Sequence, residues 1–309
     1  MGDLRPLPAS NPIETDADGV LEIRRLPDTD LAATWDAIHL PEAQKQKLLS
    51  MAALSAVVRP KVSNARVPLH GMIVLVGLPG TGKTSLARGL ATRLAESVPS
   101  AGKWHFLEVE PHALASAGLG GSQKRVRRLL QDTIAEQVEA GPLVVLLDEV
   151  ETLAADRYKL SLEANPVDVH RATDAVLAGL DDLARRFPQL LVVATSNFPE
   201  AVDRALLSRA DLIETIEPPD RVGVEAIMRD TLDELATHWP NVAEVGSTRK
   251  FSRAVELAVG LDGRQIRKAV VAACALDQST ALDPGKLTAD ALVTAVQHAR
   301  AAQLEKGTD

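Results

Sequence analysis

The run MIVLVGLPGTGKTSLARGLA, residues 72–91, decides the fold. Its first five residues, Met72 to Val76, are all apolar and read as a buried strand, while the segment from Lys83 onward has helical periodicity. Between them Gly77-Leu78-Pro79-Gly80-Thr81-Gly82-Lys83-Thr84 satisfies G-x-x-x-x-G-K-[ST] in its proper strand–loop–helix context. Gly77, Gly80 and Gly82 let the backbone curl so that its N–H groups point inward at phosphate oxygens. The helix that opens with Lys83, Thr84 and Ser85 offers its positive end to the same charge. Lys83 is expected to reach the β- and γ-phosphates, and the Thr84 hydroxyl to ligate Mg²⁺. The stretch therefore predicts a site for ATP and Mg²⁺.

Four more short apolar runs follow: HFLEV (105–109), LVVLL (143–147), LLVVA (190–194) and LIETI (212–216). Helical patterns separate them. Strands alternating with helices imply right-handed crossovers and a parallel sheet covered on both faces. The expected fold class is α/β, with a five-stranded parallel sheet flanked by helices. After Pro218-Pro219 the pattern becomes helical throughout, over 222–239, 251–259, 263–277 and 287–304. The predicted organisation is an N-terminal arm (1–30), a large α/β domain (31–218) and a small all-helical lid (219–309).

The strand LVVLL delivers Asp148 and Glu149 at its C-terminal end. An acid in that place holds Mg²⁺ opposite a P-loop, directly or through water, so Asp148 joins Thr84 at the metal. Glu149, one residue on, is placed to polarise the attacking water as general base. The strand at 190–194 leads into Asn197, whose amide can hold that water or the γ-phosphate if its strand lies between the other two. Together these residues predict NTP hydrolysis.

Composition narrows the alternatives. A net charge of −8 argues against nucleic acid or an anionic membrane as the main partner. The single cysteine, Cys274, rules out an intrachain disulfide framework and fits a reducing cytosol. The start, MGDLRPLPASNP, lacks a leader's apolar stretch, and no apolar run approaches the length that spans a bilayer. The expected compartment is the cytoplasm.

GLPGTGKTS, LLDEVETL, ATSN and GLDGRQIRK together resemble an AAA+ ATPase. More closely, DEVE, TSNFPEAVDRALLSRADLIETIEPP and LDGRQIRK are similar to the pachytene-checkpoint remodellers of HORMA-domain proteins. Shorter bacterial relatives of that family accompany HORMA proteins in anti-phage signalling operons that also encode a cyclic-nucleotide synthase. The resemblance implies a homo-hexameric ring with ATP bound between neighbours. It makes Asn197 sensor 1, Arg264 the sensor 2 arginine of the lid, and Arg209 the arginine finger offered to the next subunit, with Arg204 as the rival. It places Ile38 and Trp35 near the adenine, where plain core roles are equally open.

The resemblance also accounts for the loop HALASAGLGGSQ (112–123) as a channel loop that grips substrate polypeptide. Family members carry an aromatic at its tip; here the matching positions are Gly118 and Leu119. A second channel loop, RYKLSLEANP (157–166), contains Tyr158 and Leu160. The basic run Lys124, Arg125, Arg127 and Arg128 is expected to start a helix facing solvent, an interface or an acidic strand. His112 and His170 lack the neighbours of a metal site and are expected to be structural, and Cys274 to be core.

The expected function is an ATP-driven remodeller that partly unfolds a HORMA-domain protein, possibly in complex with a cyclic-nucleotide synthase. The competing classes are a DNA-acting AAA+ ATPase and a protease-coupled unfoldase. A single cysteine excludes the zinc module of clamp loaders, and AAQLEKGTD lacks a proteasome-docking tail.

Overall fold

The computed structural model describes residues 13, 17–63, 66–110, 121–154 and 166–306. Within them the chain forms two compact units. The first comprises residues up to Asp36, Glu42–Gly77 and Lys83–Ile216; the second comprises Ala37–Pro41, Leu78–Gly82 and Glu217 onward.

The first unit is built on a six-stranded sheet: β1 (Val20–Arg25), β2 (Met72–Val76), β3 (His105–Val109), β4 (Leu143–Leu147), β5 (Leu190–Ser196) and β6 (Leu212–Thr215). Their spatial order is β1-β3-β4-β5-β2-β6. The last five are the parallel strands expected from the apolar runs, in register Met72 with Val192, Leu143 with Leu190 and His105 with Leu143. Every residue of β2, β4 and β5 is buried, which explains why they read as unbroken apolar runs: helices cover both faces.

The strand count is a correction. The sixth strand, β1, pairs antiparallel with β3 and lies in the stretch expected to be an arm. At this sheet edge VLEIRR is only partly covered, and Ile23 is its one fully buried residue. Ile13 bridges Ile23 from the outer side.

Helices α1 (Thr29–Asp36), α2 (Glu42–Val58) and α3 (Lys83–Ser97) follow β1 and β2. A Cβ on Gly89 of α3 would lie 2.4 Å from the Trp35 Cβ, so glycine is what lets α1 cross α3 this closely. Trp35 is accordingly buried. The crossover from β3 to β4 runs through α4 (Gly121–Arg128), a π turn (Leu129–Thr133) and α5 (Ile134–Glu139). Lys124, Arg125, Arg127 and Arg128 are exposed on α4, as expected. Helix α6 (Pro166–Arg186) links β4 to β5, and the short α7 (Arg204–Leu207) precedes β6.

The second unit carries α8 (Arg221–Ala236), α9 (Arg249–Ala258), α10 (Gly263–Cys274), α11 (Gln278–Leu282) and α12 (Ala289–Lys306). Its core is aliphatic with one aromatic, Phe251, alongside Val224, Ile227, Ile266, Leu292 and Val296. Cys274 belongs to this core, and burial raises its thiol pKa. Asp220, Thr248 and Asp262 cap α8, α9 and α10 by accepting backbone N–H bonds from Gly223, Phe251 and Gln265.

Candidate nucleotide-hydrolysis site

Because β5 lies between β2 and β4, the C-terminal ends of these three strands deliver their polar residues to one place. This is the condition on which the expected role of Asn197 depended. Thr84, on the first turn of α3 after β2, donates its Oγ1 hydrogen to Asp148 Oδ1 at 2.8 Å. Thr195 of β5 donates to the same oxygen at 2.5 Å and accepts the backbone N–H of Glu149 at 3.0 Å. Asn197 Nδ2 donates to Glu149 Oε1 at 3.0 Å. Its own backbone N–H goes to Glu151 Oε1, also at 3.0 Å. Six residues at or just beyond three adjacent strand ends thus form one hydrogen-bonded set.

Glu149 has φ 49° and ψ 54°, the left-handed region, and is the non-glycine with positive φ among the described residues. An L-residue there costs about 1–2 kcal/mol. The conformation is held on both sides: Glu149 N–H by Thr195, and Glu149 C=O by the N–H and hydroxyl of Thr152, both at 2.9 Å. Strain fixed by surrounding bonds at an acid of this kind marks a working position.

Lys83 is 5% exposed, and its Nζ donates to the Gly77 carbonyl at 2.9 Å. Gly77 has φ 151°, and a Cβ there would meet the Ile216 carbonyl at 2.3 Å, so no other residue fits. In the second unit, Thr81 Oγ1 donates to the Leu78 carbonyl at 2.9 Å, tightening the loop that Pro79 and Gly80 turn. Ile38 packs on this loop: a Cβ on Gly82 would lie 2.5 Å from its Cδ1. Gly80, with φ 84°, lies against the carboxylate of Asp262. Arg264 stands exposed on the first turn of α10, and Arg267 three residues on donates to the Ala37 carbonyl at 2.6 Å.

Arg209 makes a bidentate pair with Asp181 of α6, Nε to Oδ1 at 2.6 Å and Nη2 to Oδ2 at 2.7 Å. The hydrogen bond from Arg209 lowers the Asp181 pKa, and the same bond raises that of Arg209. Two residues on, Asp211 accepts the N–H groups of His70, Gly71 and Met72 at 2.7–3.1 Å, which ties the Arg209 segment to the start of β2. Arg204 is exposed at the start of α7. Gly118, Leu119, His112, Tyr158 and Leu160 lie outside the described residues, as does the side chain of His170.

Thr195 lies in ATSN and Asp262 in LDGRQIRK, but neither has a role expected from sequence, and Asp181 lies in no motif; Asp262 also has a local signal, the D-x-x-Q of a capping box. The donor set suits Mg²⁺: a hydroxyl and a carboxylate in contact are hard oxygen ligands, and substrate phosphates and water complete such a shell. Among the described residues no group of three or more His, Cys, Asp or Glu side chains could hold a metal ion by itself. Also among them, no helix is long and apolar enough to cross a membrane.

A P-loop lysine, a strand-end Asp-Glu pair and a polar residue on the strand between define a P-loop ATPase. The profile of the ATPase family associated with various cellular activities (AAA) matches residues 73–218. CD-NTase-associated protein 6 of Pseudomonas aeruginosa is 53% identical over 94% of this chain and 95% of its own length. The pachytene checkpoint protein 2 homolog of rice is 31% identical over 84% of this chain, which spans 62% of that protein. The solved structure of C. elegans PCH-2 matches with TM-score 0.73 at 25% identity, covering 95% of this chain and 78% of that one. An E. coli HORMA:CdnC:Trip13 complex shares the fold, with TM-score 0.69 at 17% identity over 93% of this chain and 97% of that one. The chain belongs to the AAA ATPases, in the group of CD-NTase-associated protein 6 and pachytene checkpoint protein 2. It is an ATPase.

Proposed function

We propose that this protein is a Mg²⁺-dependent, homo-hexameric, cytoplasmic ATPase that remodels a HORMA-domain protein within a cyclic-nucleotide-based anti-phage signalling system. The carrying observation is the 53% identity with CD-NTase-associated protein 6 over almost the whole of both chains. The names of the components in the E. coli complex support the HORMA-domain partner and the cyclic-nucleotide synthase.

In the proposed reaction the backbone N–H groups of Gly77, Leu78, Gly80, Thr81, Gly82 and Ser85 cradle the phosphates, Pro79, which has no N–H, shapes the turn of that loop, and Lys83 binds the β- and γ-phosphates by charge. Thr84 and Asp148 hold Mg²⁺, which when bound neutralises charge developing on the transferring phosphoryl oxygens. Glu149 accepts the proton of the attacking water. Asn197, already bonded to the Glu149 carboxylate, holds that base and the water in line. Arg264 answers to the γ-phosphate from the lid, Ile38 lines the adenine, and Arg209 serves the neighbouring subunit's ATP, released from Asp181 when it does so. Gly118 and Leu119 touch the substrate chain.

The test is capture from native lysate by Glu149→Gln with ATP. A HORMA-domain protein retained with ATP and lost with ADP is the expected result. Retention of DNA-bound proteins instead would favour the DNA-acting class.

A further inference from the structure

Beyond the acids themselves, the geometry points to Thr195 as a positioning residue for hydrolysis: one hydroxyl sets Asp148 and Glu149 together. This rests on the roles proposed above for those two acids.

Leu147, the last residue of β4, pairs with Ala194 of β5, so β4 leaves the ladder just as Thr195 comes alongside. Beyond the ladder the Glu149 N–H is bonded to the Thr195 side chain at 3.0 Å. A threonine hydroxyl has one hydrogen and two lone pairs. A backbone N–H can only donate and a carboxylate can only accept, so both bonds of Thr195 have a fixed direction. Oγ1 accepts from Glu149 and gives its single hydrogen to Asp148 Oδ1. Thr195 is 1% exposed, which leaves little room for water to take its place.

The consequence is a coupling between metal ligand and base. The hydroxyl helps hold Glu149 at φ 49°, the setting that aims its side chain, and orients the carboxylate oxygen that Thr84 shares. Neither valine, which keeps the shape, nor alanine reproduces either bond. Serine reproduces both.

The test compares Thr195→Val, Thr195→Ser and Glu149→Gln in the full-length protein. In Thr195→Val, kcat is expected to fall on the order of 10²-fold, the size of effect that follows when a catalytic group is misplaced by about 1 Å. At saturating Mg²⁺, KM for ATP should change by less than about threefold, since the P-loop contacts to the phosphates are untouched. Binding of a fluorescent ADP without Mg²⁺ should be unchanged, while the Mg²⁺ concentration that half-saturates its effect on that binding should rise. Amide hydrogen exchange of the peptide carrying Glu149 should quicken in Thr195→Val even without nucleotide, and remain slow in Thr195→Ser, whose turnover stays within about threefold of wild type.

Wild-type turnover in Thr195→Val beside an inactive Glu149→Gln would overturn the inference while leaving the base role intact. An active Glu149→Gln would instead overturn the base role itself. Should Thr195→Val not fold, Thr195→Ser decides alone: serine that loses turnover and exchange protection refutes the hydroxyl's part, and serine that keeps both supports it.

Discussion

Gly80→Ala tests how the phosphate loop depends on the cap of α10. Gly80 has φ 84°, where an alanine is strained by about 1–2 kcal/mol. Its Cβ would also lie 2.4 Å from Asp262 Cγ, 2.5 Å from Oδ1 and 2.7 Å from Oδ2, too close for any of them to stay. That carboxylate is not idle. Oδ1 accepts the Gln265 N–H at 2.8 Å, and Gln265 Oε1 accepts the Asp262 N–H at 2.9 Å, a reciprocal capping box. Displacing an N-cap costs about 1 kcal/mol. The sum is about 2–3 kcal/mol, or roughly 3–5 °C of melting temperature for a chain of this size. Arg264 sits two residues beyond the cap, so ATP turnover should fall as well. A double-mutant cycle isolates the clash. Asp262→Ala alone loses the cap, but in its background Gly80→Ala should cost only the φ strain, giving a coupling of about 1 kcal/mol. Melting followed by far-UV circular dichroism measures all four proteins. Costs that add to within a few tenths of a kcal/mol would refute the contact as the cause.

Three further outcomes follow from the same geometry. Lys83→Ala should weaken ATP binding at least about tenfold, because a charge-assisted phosphate contact is worth about 1.5–3 kcal/mol; fluorescent-nucleotide titration reads it. Arg209→Ala should lower turnover on the order of 10³-fold with nucleotide affinity retained. Arg204→Ala should not, and Asp181→Asn should leave the melting temperature within a few degrees because the pair is partly exposed. His105 carries a pH prediction: burial first, then Arg25, lowers its pKa, and its Nδ1 is buried without a partner. A depressed pKa contributes stability above the unfolded value and loses it as pH falls through the folded one. Melting temperature should therefore drop as pH goes below about 6.5, and less steeply in His105→Gln.

What could be read from the sequence were features whose cause is local. The P-loop glycines announce themselves by spacing, and β2, β4 and β5 by burial on both faces. Strand β1 did not, because VLEIRR is a short, half-polar edge strand with one fully buried residue and its partner β3 is some eighty residues away. Its flanking Pro and Asp residues made an arm the simpler reading. Thr195 is chemically unremarkable in LLVVATS; its role comes from register with β4, which only the folded sheet supplies. The Arg209–Asp181 pair likewise joins residues 28 apart through the packing of α6, with no trace in either segment alone. Ile38 has a place near the adenine only through the resemblance; its packing on Gly82 of the phosphate loop joins residues 44 apart and leaves no local sign in either segment.

The most direct test of the remodelling claim is steady-state ATP turnover with and without a purified HORMA-domain protein of the same genome, beside Glu149→Gln as the inactive reference. That protein should stimulate turnover and be released from its cyclic-nucleotide synthase in an ATP-dependent way. Turnover indifferent to the HORMA-domain protein, and raised by duplex DNA in a salt-sensitive way, would contradict the remodelling claim.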